Sequence, residues 1–251
     1  MNDILFSAFL LSVVLLGINS YFGLEIIRRG IIFTDLAIGQ AAAFGAAVSL
    51  FFFDGRFMYP ISLAAALLAG LLIAFVARRS GHLEAFIGLM YAFGFAGVYI
   101  LLSKSFHGME EFQKLMAADI LFTPMKDIIH TAVLYAGLGI FIWFFQRRTS
   151  GVLRDILFFV TFAVTVTSAV RLAGVLVLFS LLVGPALIAT VIRRGIPLIN
   201  AWVIGTLTNV AAIAISYHFD FPTGYTIVFC NALLALVAVG LRSQKGSEPA
   251  G

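Results

Sequence analysis

The strongest constraint on the fold of this 251-residue chain is a succession of long apolar segments separated by short polar turns. About 20 apolar residues, rising 1.5 Å each in a helix, cross a hydrocarbon core about 30 Å thick. The predicted spans are residues 4–22, 30–53, 58–76, 83–103, 128–145, 155–170, 172–192, 198–217 and 226–241, of which the sixth and the last are short. If the first two merge, eight remain, so the sequence predicts an all-α membrane bundle of eight or nine helices.

Composition supports a membrane protein and argues against a water-soluble domain. Hydrophobic residues make up 62% of the chain and charged residues 11%, whereas soluble domains contain about 45–50% and 25%. The net charge of +4 is explained by its placement along the chain and requires no nucleic-acid partner. Because no flexible linker interrupts the apolar segments, residues 1–251 are predicted to form a single transmembrane domain in the lipid bilayer, with a short polar tail at 242–251.

The basic residues predict the orientation. With the N-terminus outside, eleven of the sixteen lysines and arginines lie in cytoplasmic segments or in the tail. The outer segments keep only Arg56, Lys104, Lys114 and Lys126, and Arg171 falls between two spans. Positive residues concentrate in cytoplasmic loops, so this orientation is favoured.

One outer segment, residues 106–122, has an amphipathic pattern. Met109, Phe112, Met116 and Ile120 recur near helical spacing among charged and polar residues. This pattern is typical of a helix lying at the membrane face. Such a helix could contact an external partner or simply connect two spans, and the sequence leaves both open.

The chain lacks the short motifs of common catalytic and nucleotide sites. It contains no GxxxxGK[ST] loop, no HExxH and no GxSxG, so no Walker lysine, catalytic zinc or serine nucleophile is expected. The chain is therefore predicted not to be an enzyme, to bind no cofactor, and to leave any ATP hydrolysis to another chain. Its four histidines do not recur at ligand spacing. His107 and His218, with Asp220 beside the latter, are the candidates for an outer entry site.

The second apolar segment, 30–53, carries two polar side chains at membrane depth. Asp35 lies about 7 Å and Gln40 about 15 Å into it, and an Asp at the centre of a span costs about 2.5–3.5 kcal/mol on insertion scales. Such residues usually face a bundle interior or a wet cavity. Five residues apart, the two diverge by about 140° on a straight helix, unless Gly39 permits a distortion. Alternatively, Gln40 bonds to a neighbouring helix and Asp35 pairs with Arg28 or Arg29.

Two later stretches add weaker signals. Gly184-Pro185 lies inside a predicted span, where proline removes a backbone donor and bends the helix. HFDFPTGY, residues 218–225, contains Asp220, Pro222 and Gly224, which favour a tight outer turn.

Together these stretches resemble the permease subunits of ABC-type metal importers, the family that carries zinc, manganese or iron(II) across bacterial inner membranes. The resemblance covers nearly the whole chain and is carried by RRGIIFTDLAIGQAAAFGAA, LEAFIGLMYAFGFAGVYILL, HGMEEFQKLMAADIL, SAVRLAGVLVLFSLLVGPALIA and SYHFDFPTG. It implies a type II importer fold, a permease homodimer, two copies of a separate cytoplasmic ATPase, and an extracytoplasmic solute-binding protein. The segment around Arg193, Arg194 and Gly195 would couple to the ATPase.

The resemblance also implies where the transported ion passes. Family members commonly carry an Asp and a His four residues apart in the second span, in a pattern like GDALSHA. Here the corresponding positions are Leu36 and Gln40, and Asp35 is one residue out of register. Asp35, Leu36 and Gln40 are thus the implied pathway residues, and Asp35 and Gln40 the implied metal ligands.

A divalent transition-metal importer is therefore the expected function. The alternatives are a stand-alone secondary transporter or channel that uses Asp35, and an ABC permease for a non-metal or chelated substrate. An intramembrane enzyme is disfavoured because no paired catalytic groups lie at matching depth.

Overall fold

The computed structural model describes residues 2–77, 82–105, 107–118, 120–146, 148–192 and 195–245, and over these the chain is helical with no strand. Ten α-helices and one 3-10 turn follow one another. They are α1 (Asn2–Arg29), α2 (Thr34–Phe53), α3 (Met58–Val76), α4 (Leu83–Leu102), α5 (Gly108–Met116), the 3-10 turn (Ile120–Phe122), α6 (Met125–Gln146), α7 (Gly151–Ala173), α8 (Val175–Ile192), α9 (Pro197–Phe219) and α10 (Thr223–Lys245).

Within the described residues, nine of these helices are long and apolar enough to cross a membrane, which confirms the predicted helical membrane bundle. The first boundary differs from the prediction. Helix α1 continues to Arg29 and ends at Gly30, whose φ of +71° is a conformation that glycine adopts without steric cost. Helix α2 then starts at Thr34, so Asp35 lies in its first turn. The predicted short sixth and ninth spans are parts of the longer helices α7 and α10.

The chain divides into two compact units. The first comprises Met1–Ile32, Asp119–Pro124 and Phe179–Gly251, and the second comprises Phe33–Ala118 and Met125–Leu178. The boundary falls within α8, so that helix contributes its first four residues to the second unit and the rest to the first.

In the second unit, α2 packs against α3, α4 and α7. Small residues permit these close contacts, as they do in many membrane bundles. A Cβ on Gly45 would lie 2.7 Å from the carbonyl oxygen of Ile61 in α3. Ala43 and Ala47 are fully buried, and a Cβ on Gly39 would lie 3.1 Å from Val175 Cγ1. Helix α2 is therefore the central helix of its unit.

In the first unit, α9 packs against both α1 and α10. A Cβ on Gly205 of α9 would lie 2.6 Å from Leu16 Cδ1 and 3.0 Å from the ring of Pro185. Helix α8 continues through Pro185. Two buried amides join α9 to α10, because Asn231 Nδ2 donates a hydrogen bond to Asn209 Oδ1 at 3.0 Å.

The amphipathic segment 106–122 forms α5 and the 3-10 turn, with Phe106 and Asp119 outside the described residues. Helix α5 packs along α4, because the Phe112 ring lies 5.6 Å from that of Phe95 and 5.7 Å from that of Tyr99. Met116 and Ile120 are buried, and only Met109 of the predicted apolar stripe is exposed. The stripe is therefore covered largely by the protein.

Candidate functional site

Asp35 is the most deeply buried carboxylate that the structure describes within a candidate span. Its exposed fraction is 1%, and no side chain of the described residues forms a hydrogen bond with either of its oxygens. The groups that interact favourably with its carboxylate are the backbone amides of Asp35 and Leu36, in the first turn of α2. The alternative that Asp35 pairs with Arg28 or Arg29 gains no support, because both arginines form ion pairs with Glu25, at 2.6 and 3.0 Å.

Gln40 is equally buried, with 1% of its surface exposed. Its Nε2 donates to the sulfur of Met116 at 3.6 Å, and its Oε1 has no partner among the described residues. Gly94 of α4 makes room for this side chain, since a Cβ there would lie 2.9 Å from the Cβ of Gln40. An amide oxygen is thus held in the core of the second unit without a donor.

The structure does not direct Asp35 and Gln40 toward one point. Helix α2 is continuous from Thr34 to Phe53, so Gly39 introduces no break and the two side chains keep their divergence of about 140°. Leu36, at the position where the resemblance places an aspartate, is half-buried. The arrangement offers two separate oxygen-bearing positions on one helix.

Met116 is the site residue that the sequence did not identify. The amphipathic pattern included it, but its contact with Gln40 joins residues 76 positions apart and depends on the path of α5. No sequence signal pointed to this contact.

The outer candidates lie in different units. His107 precedes α5 in the second unit and is exposed. His218 and Asp220 end α9 in the first unit, and both are exposed. Asp220 has a left-handed φ of 58°, and the hydroxyl of Ser216 donates to the carbonyl of Phe221 at 2.7 Å. The predicted turn is therefore present in the structure.

The predicted coupling segment is only partly described. Arg193 and Arg194 lie outside the described residues. Gly195 is exposed with a φ of +73°, and α9 begins two residues later at Pro197. Proline is favoured at the first helical position because its missing N–H is not needed there.

The charged side chains of α5, outside the spans, form ion pairs with one another. On α5, Lys114 contacts Glu110 at 2.8 Å and Glu111 at 3.2 Å. The hydrogen bond from Lys114 lowers the pKa of Glu110, and the bond to Glu110 raises the pKa of Lys114. These groups are largely exposed, so the pairs contribute little to stability.

Arg171, which the sequence left between two spans, forms an ion pair with Asp127 at 3.2 Å. Its guanidinium also lies 5.8 Å from the ring centre of Tyr59. Arg171 and Tyr59, together with His130 and Ser168, line a cavity of about 200 Å³ within the second unit.

The described residues contain no group of three or more His, Cys, Asp or Glu side chains that could hold a metal ion.

Comparison with known proteins places the chain among transporters. The model of the ABC 3 transport family matches residues 1–242. The high-affinity zinc uptake system membrane protein ZnuB of Haemophilus influenzae is 22% identical over 267 aligned residues, covering 97% of this chain and 100% of that protein.

Solved structures show the same fold. A chain of PsaBC from Streptococcus pneumoniae in complex with Fab superposes with a TM-score of 0.77 and 21% identity, covering 94% of this chain and 90% of that one. An inward-facing ABC transporter described as of the metal-chelate type gives a TM-score of 0.66 with 13% identity, covering 94% and 85%. Because the family match extends over almost the whole sequence, this chain belongs to the ABC 3 transport family.

Proposed function

We propose that this chain is the membrane-spanning permease of an ATP-binding cassette importer that carries a divalent transition-metal ion, namely zinc, manganese or iron, across the bacterial inner membrane. The observation that carries the proposal is the pair of buried, partner-poor oxygen groups on α2, Asp35 and Gln40, in a chain of a transport family. The zinc uptake relative supports the same class of cargo.

The oxygens of α2 suit a cation in transit. Asp35 supplies a negative charge that attracts the ion, and Gln40 supplies a neutral oxygen ligand. Amide oxygen favours harder ions than imidazole does. The half-buried Leu36 lines the path between them. The ion would leave readily because no dense ligand cluster holds it.

The energy must come from partner chains, since the sequence has no Walker lysine. Two copies of a separate ATPase would dock on the cytoplasmic side near Arg193, Arg194 and Gly195. A second copy of the permease would complete the pathway. A solute-binding protein would deliver the ion from outside, near His107, His218 and Asp220. Closure of the ATPases would then alternate access to the path.

The test is uptake by the complete complex in proteoliposomes. ATP-dependent accumulation of zinc, manganese or iron(II) ions is expected, and it should disappear when the partner ATPase carries an inactive Walker lysine. Uptake that persists without ATPase activity would instead identify a stand-alone secondary transporter or channel. Uptake of chelates but not of free ions would contradict the bare-ion proposal.

A further inference from the structure

Gln40 and Met116 form a buried pair that the protein alone satisfies poorly. The exposed fractions are 1% for Gln40 and 4% for Met116. The amide nitrogen donates to the thioether at 3.6 Å, and the amide oxygen has no hydrogen-bond partner within the described part of the chain. A thioether is a weak acceptor, and a buried polar group without a partner destabilises the fold.

The approach of α5 fixes the position of Met116 from one side. A Cβ on Gly108 would overlap the carbonyl of Leu102, so the glycine allows α5 to begin in direct contact with the end of α4. Phe112 then packs edge-on against two rings of α4, those of Phe95 and Tyr99. These contacts direct the C-terminal end of α5 toward α2, where Met116 meets Gln40.

The segment after α5 fixes Met116 from the other side. The amide of Ala118 donates to the carbonyl of Ala173 at 2.9 Å. At the junction of α7 and α8, Gly174 has a φ of +86°, and a Cβ there would lie 2.7 Å from the backbone carbonyl of Met116. The backbone on both sides of the thioether is thus fixed by packing.

We propose that Met116 contacts the cargo together with Gln40, and that its thioether biases the pathway toward softer ions. This inference rests on the proposed function. If the Gln40 amide turns through about 180° about its last side-chain bond, its oxygen takes the place of the nitrogen that now faces the sulfur. Oxygen and sulfur lone pairs then face one point.

The chemistry of this pair determines the preference. Thioether sulfur favours zinc and copper(I), whereas oxygen ligands and water suit manganese and magnesium. Both ligands are neutral, so they would hold an ion weakly and release it. The remaining ligands would be water molecules carried by the ion. The pair is therefore a selective point of passage and not a storage site.

Competitive uptake of zinc and manganese ions by the complete complex in proteoliposomes tests this assignment. Met116→Leu removes the sulfur with little change of volume, a type of exchange that cores tolerate. The ratio of zinc to manganese uptake should fall about tenfold. This is the lower end of the loss in metal affinity or activity that follows when a residue supporting a metal site is removed. Met109→Leu is the matched control, because Met109 is on the same helix but more than half exposed.

A second variant covers the case in which Met116→Leu fails to assemble, as judged by gel filtration. Met116→Gln replaces sulfur with an amide oxygen on an unbranched chain, and should lower the same ratio while raising manganese uptake. An unchanged ratio in the assembled variants would overturn the role of Met116 and leave the proposed function intact. If the wild-type complex accumulates no divalent ion, the proposed function itself fails.

Discussion

Each compact unit buries a carboxamide beside a glycine of a neighbouring helix, Asn231 next to Gly184 in the first and Gln40 next to Gly94 in the second. The Cβ that each glycine lacks would lie 3.3 Å from Asn231 Cβ and 2.9 Å from Gln40 Cβ. Asn231 donates to Asn209 Oδ1 and to its own helix backbone, both at 3.0 Å. The Gln40 side chain has one hydrogen-bond partner among the described residues, the sulfur of Met116.

The atoms left without a partner in these two amide pairs differ in kind, although the first unit also buries an acceptor without a partner among the described residues, Asn19 Oδ1. In the first unit the remaining atom of the pair is a donor, Asn209 Nδ2, whereas in the second it is an acceptor, Gln40 Oε1. A donor cannot bind a cation and an acceptor can. The asparagine pair joins α9 to α10, whereas the proposed function assigns the Gln40 oxygen to the cargo.

The largest effect is expected at Asp35, the charged member of the α2 pair. Asp35→Asn should lower metal uptake at least about tenfold, because α2 loses its only charged side chain, the one that attracts the cation in the proposed function. Because that carboxylate is buried with no side-chain partner among the described residues, the thermal unfolding temperature in detergent should stay the same or rise. Transport equal to that of the parent would show that α2 is not the selective element.

The glycines provide the next comparison. Gly94→Ala should destabilise the protein by about 1–3 kcal/mol, as overpacking does, and should displace Gln40. Gly184→Ala should lower the free energy of unfolding by less, because its Cβ would lie 3.3 Å from the nearest side-chain atom. Gly88→Ala is the control on α4, since a Cβ there meets nothing within 4 Å. Equal unfolding temperatures for the Gly88 and Gly94 variants would mean that α4 is not packed closely against Gln40.

How far a feature depends on local sequence explains how much of the fold could be predicted. The nine spans depend on the local length and apolarity of each segment, so the sequence was sufficient to predict them. The start of α2 was wrong by four residues because Ile31, Ile32 and Phe33 continue the apolar run, while the backbone turns at Gly30. Apolarity alone does not reveal such a turn.

The site was predicted in part. Asp35 and Gln40 were found because polar groups in an apolar run are conspicuous. The burial of both is confirmed, but their role stays a prediction. Met116 could not be found, because its position depends on Gly108 and Gly174, whose missing side chains matter only once α4, α5 and α7 are packed. The alternative in which Asp35 pairs with Arg28 or Arg29 overlooked Glu25, which lies one turn before both arginines.

The two amides should also respond in opposite ways to removal. Asn231→Ala should cost about 0.6 kcal/mol, and at most about 1.7, the range measured for hydrogen bonds between membrane helices. Uptake per assembled complex should not change. Gln40→Leu should leave stability equal or higher and reduce uptake. Chemical unfolding and uptake, measured on the same samples, distinguish the Asn231 variant from the Gln40 variant. If both variants lose uptake, the two buried amides do not differ in function.

The smallest effect is expected on the exposed face of α5, where the polar groups are already paired. The Glu110 pKa is lowered by Lys114, so its contribution is present above its ordinary value of 4.5 and is lost as pH falls through the lowered pKa. The Lys114 pKa is raised, so its contribution is present below 10.5 and is lost as pH rises through the raised pKa. Between about pH 6 and 9 both groups stay charged.

Glu110→Gln should therefore leave the unfolding temperature unchanged across that pH range, because exposed pairs contribute little. Any small gap from the parent should be constant over that range and should close as pH falls through the lowered Glu110 pKa, where Glu110 becomes protonated in both states. Uptake should match the parent throughout. If Glu110→Gln lowers uptake as Asp35→Asn does, then polar groups that have partners also take part in transport, and an unpaired acceptor is not what distinguishes the pathway residues of α2.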